Sequence, residues 1–143
     1  MTESHDTRGY NFHELHPVLL VSDVAASVHY FCEVLGFTAR GVTHGDDGAA
    51  YYAMVCQDKV TFCLLRRERD AAAPAGTFYI HLGHADGSED MDGLYARYLG
   101  RGVKITMPPT VQPWGLREFE IEGPDGYRFI FAVDGRPYVL RSA

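Results

Sequence analysis

The chain lacks the features that several functional classes need. Only three of its 143 residues are cysteine, and the odd count, with Cys32, Cys56 and Cys63 each set in an apolar stretch, argues against a disulfide framework and for reduced thiols. No apolar run is long enough to span a bilayer, and residues 1–6 are polar where a secretory leader would be apolar. A cytoplasmic protein with no membrane partner is the expectation. Lys and Arg number 13 against 19 Asp and Glu, a net charge of −6, and the only basic cluster is Arg66, Arg67 and Arg69. The field that gathers phosphates is therefore missing, which excludes nucleic acid as a partner. No Ser-His-Asp, Cys-His or glycine-rich phosphate pattern stands at usable spacing, so catalysis without a metal has no evident residues.

What is present is a paragraph written twice. After a flexible polar stretch over residues 1–11, residues 15–21 have the length and β-branched content of a strand, and Ser22 or Asp23 caps a helix. Val24, Val28, Phe31 and Leu35 recur at helical spacing, and Gly36 ends the run where a left-handed residue is wanted. Strand-like segments follow at 37–42, 49–55 and 59–65, separated by turn residues around Gly45 to Gly48 and at Gln57-Asp58.

The linker-like residues 71–76 lead into the second copy, which opens with a strand at 77–83. Asp90 is its candidate N-cap, Met91, Leu94, Tyr95, Tyr98 and Leu99 form an apolar helical stripe, and Gly102 closes it. Strands at 103–107, 116–121 and 129–133 complete it, and residues 135–143 make a tail. Asp23 to Asp90 and Gly36 to Gly102 keep the same offset to within one residue, which is the mark of an internal repeat. The predicted fold is α+β: two tandem βαβββ modules, at 12–70 and 77–134, forming curved mixed sheets around a cleft.

Two stretches carry a resemblance to a known family. Pro17-Val18-Leu19-Leu20-Val21-Ser22-Asp23-Val24 through Tyr30-Phe31 and Leu35-Gly36-Phe37 resembles the opening strand and helix of the vicinal oxygen chelate superfamily, which includes glyoxalases, bleomycin resistance proteins and dioxygenases. Pro113-Trp114-Gly115-Leu116-Arg117-Glu118-Phe119, followed by Gly123-Pro124-Asp125-Gly126, looks like its bleomycin-resistance branch. The resemblance implies a homodimer that sequesters a small-molecule ligand, such as an antibiotic, without chemistry. It also implies an alternative, a metal-dependent lyase, isomerase or dioxygenase.

The family's enzymes hold a divalent metal through the first and last strands of each module. On this chain those positions fall at His16, near Cys63, near Tyr79 with His81 beside it, and at Ile130 where enzymes place Glu. An apolar residue cannot ligate, so the expectation is no metal cofactor, with His16, Cys63 and His81 as the ligand set if a zinc-like site survives. The ligand-binding candidates are then Trp114, Tyr79, Phe62 and Tyr52 as aromatic walls, His16 and His81 as polar groups, and Glu118 as the carboxylate that would favour a cationic guest. Either Glu118 and Glu120 or Arg117 and Phe119 line the cleft, because alternate residues of a strand face opposite ways.

Overall fold

The computed structural model describes residue 9 and residues 11–72, 74–83 and 91–134. The chain divides into two compact units that meet at Arg67 and Glu68. No helix among the described residues is long and apolar enough to cross a membrane.

In the first unit β1 (Val18–Val21) leads into α1 (Val24–His29) and a π-helical turn over Tyr30–Val34. Asp23 is the cap: its Oδ1 accepts the Ala26 N–H at 2.9 Å, supplying one of the partners that a helix start lacks. Gly36 leaves the helix at φ 89°, the left-handed geometry that glycine adopts without a Cβ penalty. β2 (Thr38–His44), β3 (Ala50–Gln57) and β4 (Val60–Arg66) then meander, and the sheet order is β1-β4-β3-β2 with β1 parallel to β4. The buried face carries Leu19, Val21, Ala53, Val55, Phe62 and Leu64 beneath α1 and the π turn. Phe62 packs there against Phe31 and Phe37, with ring centroids 5.8 and 6.3 Å apart.

The second unit repeats the plan with β5 (Thr77–His81), α2 (Met91–Gly100), β6 (Lys104–Val111), β7 (Leu116–Glu122) and β8 (Arg128–Asp134). Its order is β5-β8-β7-β6, again with the first strand parallel to the last. α2 covers the face on which Phe119 stacks on Phe131, and Tyr95 and Tyr98 meet those rings edge-on at 5.4 and 5.7 Å. The α+β fold and its mixed sheets are therefore as the sequence indicates.

Details differ in informative ways. Leu99, counted in the buried stripe of the second helix, is 54% exposed, and Tyr98 and Met91 carry the packing instead. β6 runs on through Pro108 and Pro109 to Val111, because it is an edge strand where a missing N–H costs nothing and the register shifts around the prolines. β1 starts at Val18 rather than Leu15. The proposed cap Asp90 and the tail 135–143 lie outside the described residues.

Candidate functional site

Register decides which side chains share the face of the second sheet turned away from α2. Tyr79 lies beside Ile130, which lies opposite Glu120, and His81 lies beside Ala132, which lies opposite Glu118. Because Phe119 and Phe131 point into the α2 core, Glu118 and Glu120 point the other way. Arg117 belongs to the α2 side, where its Nη1 meets Asp92 Oδ1 at 2.5 Å.

A tight turn delivers Trp114 to this face. Pro113 occupies its first corner, the Gly115 N–H closes it on the Gln112 carbonyl at 2.8 Å, and Gly115 takes φ 95°. The Trp114 indole stays 63% exposed, yet its Nε1 donates to Glu118 Oε2 at 2.8 Å. The Tyr79 hydroxyl, on a ring 44% exposed, reaches diagonally past Ala132 and donates to the same oxygen. Glu118 itself is 2% exposed. The His81 ring adjoins Tyr79 at 5.3 Å.

This carboxylate differs from its neighbours. Glu120 accepts from Arg128 Nη1 at 2.8 Å and from Thr106 Oγ1 at 2.7 Å, and Glu122 pairs with Lys104 at 3.2 Å. Among the described residues Glu118 has only the two neutral donors. Burial, and then the hydrogen bond to Glu118, raise the Tyr79 phenol above the ordinary tyrosine value, so it remains a donor at neutral pH.

The remaining candidates belong to the first unit. Phe62 is corrected from ligand wall to core, since the phase of β4 turns it under the π turn and turns Cys63 the other way. Tyr52 shares the Cys63 face, and its hydroxyl donates to Cys63 Sγ at 3.3 Å. His16 precedes β1 and its Nε2 is 2.6 Å from Glu14 Oε1, a contact that lowers the Glu14 carboxyl. The fourth family position brings no donor atom, since it is Ile130, and within neither unit do three His, Cys, Asp or Glu side chains among the described residues gather to hold a divalent metal. Sequence reasoning named Trp114, Tyr79 and Glu118 singly but missed that they form one network, and it missed the Thr106 contact to Glu120 altogether.

Comparison with known proteins agrees with this architecture. Residues 15–131 match the family model described as the Glyoxalase/Bleomycin resistance protein/Dioxygenase superfamily. A glyoxalase-related enzyme from Clostridium phytofermentans is 26% identical with a TM-score of 0.71, over 89% of this chain and 98% of that one. The bleomycin-binding protein of bleomycin-producing Streptomyces verticillus, solved with copper(II)-bleomycin, is 25% identical with a TM-score of 0.58, over 85% and 95%. An antibiotic binding protein from Streptomyces sp. CB03234, TnmS3, shares the fold at 21% identity and a TM-score of 0.65, over 85% and 94%. No curated protein matches the sequence. With the family model covering most of the chain and both units built as βαβββ modules, the protein belongs to the glyoxalase/bleomycin resistance protein/dioxygenase superfamily.

Proposed function

We propose that this chain is a binding protein that holds a cationic, aromatic small molecule on the Glu118 face of its second unit and acts by sequestration without chemistry. One observation carries the reading: a carboxylate 2% exposed, with no cation among its described partners, lies beside the exposed rings of Trp114 and Tyr79. A buried charge without a counter-charge is costly, and a bound cation removes that cost. Exposed aromatic rings add stacking area and attract cations through their faces. The bleomycin-binding protein of S. verticillus, solved with copper(II)-bleomycin, supports a small-molecule guest. A cytoplasmic homodimer is part of the proposal, and light scattering on the purified chain tests its assembly.

Trp114 is the single tryptophan of the chain, so its fluorescence reports on this face alone. Titration with bleomycin and with a simple cationic aromatic dye is expected to change the emission saturably in the native chain and far more weakly in Glu118→Gln. Equal binding by both, or none by either, would overturn the proposal. A second reading, a metal-dependent lyase, isomerase or dioxygenase, has the glyoxalase-related enzyme of C. phytofermentans in its favour. Elemental analysis of untagged protein separates the two readings: about one equivalent of zinc, iron or manganese per chain, lost in His16→Ala, would favour the enzyme.

A further inference from the structure

The face of the first sheet turned away from α1 places three sulfur-bearing residues at neighbouring register positions, and we propose that they form a binding site for a soft monovalent cation of the Cu(I) or Ag(I) type. Register makes the cluster. Met54 on β3 lies opposite Cys63 on β4, and Cys56, two residues along β3 on the same face, lies opposite Thr61. Cross-strand Cβ atoms stand about 5 Å apart when directly opposite and roughly 7 Å apart on the diagonal, within reach of longer side chains. Two metal–thiolate bonds of about 2.3 Å each, added to the two Cβ–Sγ bonds, are long enough to bridge the diagonal from Cys56 to Cys63. The flexible Met54 thioether, next to both, completes a trigonal set.

The chemistry of the donors selects the ion. Thiolate and thioether favour Cu(I) over hard cations, and no carboxylate belongs to the cluster. Each thiol already has its own outer contact: the Tyr52 hydroxyl donates to Cys63 Sγ at 3.3 Å, and Thr61 Oγ1 donates to Cys56 Sγ at 3.5 Å. Donors of this kind orient sulfur ligands around a metal. Arg40 Nη1, 3.9 Å from Cys56 Sγ, offsets the single negative charge left when a monovalent ion binds two thiolates. Binding releases the two thiol protons to solvent. Cys63 is 6% exposed and Cys56 and Met54 are half-buried, so the ion is partly screened from water. Cys32 lies in the π turn beyond α1 and takes no part.

The test is anaerobic titration of the reduced, full-length protein with Cu(I) against a coloured Cu(I) chelator, with X-ray absorption reading the bound atoms. One Cu(I) per chain in an all-sulfur shell is expected. Cys56→Ser and Cys63→Ser each weaken binding by roughly tenfold or more, Met54→Leu weakens it less, and Cys32→Ser binds as the native chain does. Because Cys63 is nearly buried, Cys56→Ser and Met54→Leu carry the test should Cys63→Ser fail to fold. No binding, binding indifferent to Cys56→Ser or Met54→Leu, loss of binding in Cys32→Ser, or nitrogen or oxygen in the shell would each overturn the proposal.

Discussion

Trp114 and Glu118 are joined across the start of β7, the exposed indole donating at 2.8 Å to a carboxylate that is itself buried. The Tyr79 hydroxyl shares the same acceptor oxygen. A hydrogen bond to a buried charge is worth about 1.5–3 kcal/mol, so Trp114→Phe and Tyr79→Phe should each lower stability in urea unfolding by about that much. Because both bonds end on one atom, the double variant is expected to depart from additivity by at least about 0.5 kcal/mol. Strict additivity would mean that the two donors act on Glu118 independently.

Glu118→Gln keeps an acceptor for both donors and removes the charge. Stability should stay within about 1 kcal/mol of native or rise, since replacing an unpaired buried charge relieves its desolvation. Affinity for a cationic ligand should fall about tenfold or more, equivalent to about 1.4 kcal/mol. A large loss of stability in thermal unfolding would show that the carboxylate is there for the fold.

The Tyr30 hydroxyl is buried with no hydrogen-bond partner among the described residues, and burial raises its pKa to about 12 from the usual 10.0. The folded protein thus holds this proton more tightly than the unfolded chain does. Stability is unaffected by this group below pH 10 and falls as pH rises through the window up to about 12. Tyr30→Phe should abolish that part of the alkaline descent and, by removing an unpaired hydroxyl, raise stability by about 1 kcal/mol at neutral pH. Phenolate absorbance during base titration, compared between native and variant, gives the direct check.

Asp23→Ala should cost about 1 kcal/mol in chemical unfolding, because the Ala26 N–H then loses its partner. Asp23→Asn, which can still accept, should recover most of it. If both variants lose equally, the charge near the helix start matters more than the cap.

The helix signals were legible because they are local. Of the two candidate caps, Ser22 and Asp23, it is Asp23 that caps α1, and Gly36 and Gly102 take φ of 89° and 79° where the apolar periodicity stops. Pro124 and Gly126 form a tight turn between β7 and β8, with Asp125 also left-handed at φ 57°. What could not be read was phase. The segment Phe62-Cys63-Leu64-Leu65 is continuously apolar, so nothing in it says that Phe62 faces the helix while Cys63 faces away. That choice depends on pairing with β1 and β3, which are distant in sequence. In β7 the alternation of Arg117, Glu118, Phe119 and Glu120 gave two faces but not which one meets α2. Tyr95 and Tyr98 decide it.

Each unit ends by pairing its last strand with its first: Val18 lies beside Cys63 in one and Thr77 beside Arg128 in the other. An edge strand held by one parallel neighbour cannot dock until that neighbour has been synthesised, so each unit must emerge almost whole from the ribosome before it can close. Until then the strand that opens the unit has no hydrogen-bonded neighbour. Nascent chains stopped before β4 or before β8 should therefore present an unpaired strand edge, the form most open to aggregation and chaperone capture.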